Sequence, residues 1–358
     1  MEFLKIIKSQ TGLKLKEIIQ SRSIQILFIV LSASLIVGIP LFIVYFSPSE
    51  NSPIEINLIG AINTDGFVMS IHIKNDLAFI IEFGDQDTYG LRIINISNPS
   101  QPEILGTYYN VGYPFAVESK DDVVYLTDQS EGLILLDISD LSQPTSIEGQ
   151  YTGSGVGRDL QIVGDLLFLA DGEDGLIILN ISNPHAPIFI SSYGPGCDHL
   201  DVEGEIVYIS YGESIRLVDI SDPANPTYLG QFFASDIVLW NPTVSDDFIY
   251  LAIHGGTHSE LKILDARDPT HVVQLSEFDS FGIFQCCHVE ESFLFAVNSE
   301  YGLYIIDISN PLSPIEIKRF FDGGVPWDMV LDDGLIYLCG SEGLQILQVS
   351  YNNQIIPT

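Results

Sequence analysis

"GLRIINISNP", residues 90–99, is a β-branched apolar run that stops at Asn95 and meets Pro99 four residues later, as a strand does on entering a turn. The phrase returns as "GLILLDISDL" from Gly132, "GLIILNISNP" from Gly175, "SIRLVDISDP" from Ser214, "ELKILDARDP" from Glu260, "GLYIIDISNP" from Gly302 and "GLQILQVSYN" from Gly343. Successive copies lie 42, 43, 39, 46, 42 and 41 residues apart. Seven copies at so regular an interval make the repeat the organising unit of the chain.

The residues between copies repeat as well. An apolar run precedes each copy, such as "DLLFLA" (165–170), "EIVYIS" (205–210) or "SFLFAV" (292–297), and a shorter run such as "LQIVGD" (160–165) precedes that across a tight turn. After the copy comes a fourth run, "QPEILGTYY" (101–109) or "NPTYLGQFF" (225–233). Four short strands in each repeat of this length predict an all-β fold, a seven-bladed β-propeller of four-stranded blades. A helical solenoid of similar period needs 3.6-residue patterning, which is absent. The phrase "GLxIIDISNPxxP", followed by a Gly-Tyr strand and a "VYLAD"-like strand, resembles the LVIVD-repeat family over residues 51–350. That resemblance implies a propeller and a surface location, and it implies no activity. The chain departs from the pattern at Leu141 (for the turn Pro), at Ala266-Arg267 (for Ile-Ser) and at Gln348 (for the acidic position).

The chain ends after the seventh third strand, so the last blade needs an outer strand from elsewhere. "SPIEINLIGAIN" (52–63) has the outer-strand pattern, with Gly60 where other copies have Gly106 and Gly230. Residues 54–62 are therefore expected to close the ring against inner strands at about 326–331, 335–339 and 343–349, giving a propeller over 54–350 and a tail at 351–358.

Ahead of the ring, Ile26–Phe46 is 21 residues without a charge, long enough as a helix to cross a hydrocarbon core of roughly 30 Å. The sequence therefore predicts a basic amphipathic cytoplasmic segment at 1–23, one transmembrane helix at 24–46 and a short linker at 47–53. A cleaved signal peptide is the rival, but its apolar core is shorter and nearer the start. Residues 1–23 carry +3 and the rest of the chain −37, within a total of −34. This asymmetry places the amino terminus in the cytoplasm and the propeller outside the cell, as a single-pass protein of the cell membrane. The same acidity repels phosphate backbones and argues against a nucleic-acid partner.

In a propeller the turns before the first strand and between the second and third share one face, around the axial channel. The repeats place Met69-Ser70, Phe115-Ala116, Arg158-Asp159, Asp198-His199, Trp240-Asn241, Gln285-Cys286 and Trp327-Asp328 at equivalent starts of first strands. Both tryptophans of the protein fall there, together with one of nine basic residues outside the amino-terminal segment. Since Trp and Arg concentrate binding energy, Arg158, Asp159, Asp198, His199, Trp240, Asn241, Trp327 and Asp328 are the candidate ligand-binding residues. The competing reading is structural, with Arg158 neutralising Asp159 or Asp198 and the tryptophans plugging the axis.

The expected function is a membrane-anchored extracellular module that binds a protein, glycan or small molecule on its axial face. One alternative is a hydrolase or lyase using Asp159, His199 and Asp328 as acid-base groups, which needs His199 within hydrogen-bond reach of a carboxylate; another is a structural envelope component. No G-x-S-x-G elbow or H-E-x-x-H helix occurs. Asp85, Asp87, Glu131, Glu173 and Asp174 are hard oxygen donors of the kind calcium takes, without the spacing of a complete calcium loop. His254 and His258 would need a third ligand to hold a transition metal. Asn95, Asp137, Asn180, Asp219, Asp265 and Asp307 read as turn caps at third-strand ends, although Asn95 and Asn180 also begin sequons. Of Cys197, Cys286, Cys287 and Cys339, a bridge between Cys197 and Cys286 is the one to test, against four buried thiols.

Overall fold

The computed structural model describes residues 26–29, 43–46, 54–84, 89–109, 111–147, 156–234, 238–254, 259–351 and 354–355. The chain forms two units, Met1–Pro53 and Ile54–Thr358.

In the first unit, Ile26–Ile29 and Ile43–Phe46 are strands paired antiparallel, Ile26 opposite Phe46. The helix expected over 24–46 is therefore not what the two ends of the apolar run adopt. Ile, Val and Phe suit a strand as well as a membrane helix, so the apolar run alone does not separate the two. Residues 30–42, and the segments expected at 1–23 and 47–53, lie outside the described residues. Among the described residues no helix is long and apolar enough to cross a membrane.

The second unit is the seven-bladed propeller. Blades 1 to 6 start at Phe67, Pro114, Asp159, His199, Val238 and Phe284, each a sheet in chain order from the inner to the outer strand. Blade 2 ends in a short outer strand, Thr145–Ser146. Blade 7 takes Pro326–Asp332, Leu335–Gly340 and Gly343–Tyr351 from the carboxy-terminal end and Ile54–Ile62 as its outer strand. Ile54 pairs with Tyr351 and Ile62 with Leu344. Within the expected tail, Gln354–Ile355 folds back onto Ser350 and Tyr351.

The near-continuous apolar second and third strands follow from where the core sits. Seven hydrophobic clusters fill the seven gaps between neighbouring blades; one joins Ile80 and Ile94 of blade 1 to Tyr337 and Ile346 of blade 7, across the closure. A middle strand is covered on both faces, so it cannot alternate with polar residues. The inner strands, in contact around the whole ring, have one free edge toward the axis and carry polar side chains such as His72, Glu118, Gln161 and Asp201.

The Asx positions cap turns. Asn95, Asp137, Asn180, Asp219, Asp265 and Asp307 each accept a hydrogen bond at Oδ1 from the N–H two residues on, at 2.8–3.1 Å. The departure at Ala266-Arg267 keeps this cap, because a backbone N–H serves whatever side chain follows. All four cysteines are free and buried, so Cys197 and Cys286 are not bridged.

Candidate binding site at the mouth of the axial channel

Each inner strand starts at the same face. In blades 1, 2, 5, 6 and 7 the pairing slips there, between Val68 and Ser70, Pro114 and Val117, Leu239 and Pro242, Phe284 and Cys286, and Pro326 and Asp328. Such bulges re-aim side chains and twist the strand. The residues skipped in the register include Met69, Phe115, Trp240, Gln285 and Trp327, all from the pairs that the repeat aligns. In blades 3 and 4 the equivalent Arg158 and Asp198 precede the strand and donate their N–H to Ala170 and Ser210, each at 2.9 Å.

Five of the eight candidate residues form an arc across blades 3 to 5. Arg158 Nε stands 3.3 Å from Asp198 Oδ1 and its guanidinium lies over the Phe115 ring of blade 2 at 5.8 Å. His199 packs on Trp240 with ring centroids 4.6 Å apart, and its Nδ1 is 3.8 Å from Asp159 Oδ2. That separation exceeds a hydrogen bond, so the acid-base pair a hydrolase or lyase would use there is not formed. Asn241 lines a cavity of 440 Å³ together with Asp159. Trp327 packs edge-on against Phe67 at 5.5 Å, on the other side of the ring closure. Asp328 lies among the inner strands, where Oδ1 accepts from Met329 N–H at 2.8 Å and Oδ2 from Ile71 N–H of blade 1 at 3.1 Å.

Asp328 belongs to a set that the sequence reading missed. Glu118 of blade 2 accepts the Ile162 N–H of blade 3 at 2.9 Å, Asp159 of blade 3 the Leu200 N–H of blade 4 at 3.1 Å, and Asp201 of blade 4 the Val244 N–H of blade 5 at 2.6 Å. Each carboxylate thus satisfies an inner-edge N–H of the next blade, which no strand pairs. The overlooked signal is periodic. Two residues past the aligned ring of Asp159 stand His72, Glu118, Gln161, Asp201, Thr243 and His288, each paired with an aromatic residue of the second strand. Alternation along a strand turns every second residue to the same side, so a polar ring at one position implies another two residues on.

Burial sets the protonation of these groups. It pushes Glu118 up to about 8 against the Ile162 N–H, and Asp201 and Asp328 each up to about 6 against the backbone N–H groups they accept. It pushes His72 down to about 4, helped by the charge of Lys74, and lowers His288 as well. The acidic turns of this face are solvated: Glu131, Glu173 and Asp174 are exposed. Asp85, Asp87 and His258 lie outside the described residues, as does the side chain of His254. Among the described residues no three His, Cys, Asp or Glu groups converge in a way that could hold a metal ion.

No curated protein matches the chain in sequence. Among solved structures, the chain is similar to the computationally designed Ika8 protein, with 11% identity and a TM-score of 0.55, covering 82% of this chain and 99% of that one. It is similar to a chain of an S. cerevisiae complex of Dbp5 bound to Nup159, Gle1, IP6 and ADP (12% identity, TM-score 0.60, 84% and 96% covered). The N-terminal domain of Nup159 gives 13% identity, a TM-score of 0.59 and the same coverage. At such identities the likeness is one of fold alone. The LVIVD repeat matches residues 65–110, 116–152, 154–194, 197–233 and 284–322, which are blades 1 to 4 and 6. Blade 5 carries the Ala-Arg departure, and blade 7 is assembled from both ends of the chain. With more than half of its length matched, the chain belongs to the LVIVD repeat family.

Proposed function

We propose that the propeller is an interaction module whose ligand docks on the face at the mouth of the channel. The observation that carries this reading is the arc Phe115, Arg158, Asp198, His199 and Trp240, in which four successive blades bring two aromatic rings, an imidazole and an ion pair together. Arg158 is 42% exposed and Asp198 28%, so the pair remains reachable by a partner. Trp and Arg at such a place are the residue types on which binding energy concentrates. Trp240→Ala should weaken binding of a ligand found by an unbiased screen of peptides, glycans and metabolites by about 2 kcal/mol or more, and Arg158→Ala should alter it in the direction set by the ligand's charge. Normal binding combined with lost thermal stability would make the arc a packed plug instead.

The module is held at the cell membrane by residues 24–46 and displayed outside. What supports this is the uncharged run of 21 residues and the change from +3 before it to −37 after it. As a helix the run would satisfy its backbone hydrogen bonds within hydrocarbon, which a pair of strands with open edges would not.

A further inference from the structure

The chemistry of the mouth face points to a class of partner, an inference that rests on the docking reading above. The turns between second and third strands expose Glu131, Glu173, Asp174, Glu213, Glu300 and Glu342, from five blades. Rings stand exposed on the same face: Tyr113 is 43% exposed, Phe281 63% and Phe321 53%. Basic groups at this end are already engaged. Arg92 is buried against Glu82, Lys262 lies 3.0 Å from Glu260, and Arg158 is paired with Asp198. Two arginines already use rings of this end as platforms, Arg158 over Phe115 and Arg319 over Tyr304 at 3.9 Å and Tyr301 at 5.9 Å. Rings rimmed by carboxylates attract cations through both the ring quadrupole and the charge.

Charge alone does not select this face. The opposite face carries Asp121, Asp122, Asp246 and Asp247 in its turns and has a cavity of 620 Å³ lined by Glu203, Glu205 and Asp219. Its described turns, however, carry no Phe, Tyr or Trp; Tyr125 and Tyr208 are at most 1% exposed, and the exposed rings at that end, Phe189 (50%) and Tyr228 (51%), stand on outer strands away from the axis. Among the described residues, the mouth sets its exposed rings in the connecting segments beside its acidic turns.

We propose that the occupant of the mouth face is a cationic polypeptide segment, rich in Arg or Lys, whose side chains stack on Tyr113, Trp240 and Phe281 and pair with the acidic turns around them. The test measures binding of labelled octaarginine, octaglutamate and a neutral oligosaccharide to the full chain in a non-ionic detergent. Octaarginine should bind and lose about tenfold in affinity as salt rises from about 50 to about 300 mM. Phe281→Ala and the double variant Glu173→Gln/Asp174→Asn should each lower its affinity about fivefold with unchanged melting. Asp246→Asn/Asp247→Asn, on the opposite face, should change it less than about twofold. If that opposite-face variant costs as much as the mouth variants, the attraction is diffuse and the proposal fails. Binding of octaglutamate or the oligosaccharide, lost in Trp240→Ala while octaarginine does not bind, would overturn the cationic partner and leave the docking face standing. If no mouth variant alters the binding of any probe, both readings fall.

Discussion

Glu118 shows how one side chain on the axis couples the ring to pH. Its carboxyl accepts the Ile162 N–H of the next blade at 2.9 Å, and burial holds it protonated up to about pH 8. An unfolded glutamate titrates near 4.3, so between these values the folded chain binds the extra proton and stability falls as pH rises. Asp201 acts in the same sense over a narrower window ending near 6. Gln at position 118 can still accept the Ile162 N–H through its amide oxygen, but it never has to carry a buried charge. Glu118→Gln should therefore gain on the unmodified protein in melting temperature as pH is raised from about 5 to about 8, by several degrees at the upper end. A constant difference across that range would mean that Glu118 titrates like a solvated acid.

At the scale of the strand, the outer glycines mark where one blade's backbone meets the next blade's turn. A Cβ on Gly106 would collide with the Leu141 carbonyl oxygen, and one on Gly60 with that of Pro99. Blades 3 and 5 solve the same contact with a hydroxyl. Ser191 donates to the Pro223 carbonyl and Ser276 to that of Pro311, each at 2.5 Å. Gly106→Ala adds bulk with nothing in return and should destabilise by about 2 kcal/mol. Gly106→Ser should cost about 1 kcal/mol less, because its hydroxyl can donate to the Leu141 oxygen once the strand has shifted to the spacing of blade 3. Chemical denaturation of the two variants checks the order, and an equal loss would show that the serine blades stand apart for another reason.

For the whole molecule, closure ties residues 257 positions apart: Ile71 in blade 1 donates to Asp328 in blade 7, near the place where Trp327 meets Phe67. The outer strand Ile54–Ile62 covers the edge that blade 7 would otherwise expose on Gly343–Tyr351. In sequence the propeller begins eight residues after Phe46, the end of the segment proposed to cross the membrane. Protease added outside intact cells should then digest the large domain and leave residues 1–23 untouched. Protection of the domain would place it inside and remove the extracellular setting of the docking face.

The sequence by itself determined the period, the strand order within a blade, the number of blades and the Asx caps. All of these rest on contacts within about one repeat, where β-branched runs and turn residues are read directly. The aligned ring Arg158, Asp198, His199 and Trp240 was legible for the same reason, since equivalent positions in a repeat share a place in space. Only the tertiary structure decided what those side chains touch. Whether Asp328 faces a ligand or the Ile71 N–H depends on a bulge at Trp327 and on a neighbour from the far end of the chain. The second ring, with Glu118 and Asp201, stayed hidden because its partners are backbone N–H groups of the next blade, and backbone groups leave no mark in a sequence. The apolar run at 26–46 was ambiguous in kind, because what chooses between helix and strand is the solvent around it, and a sequence does not contain its solvent.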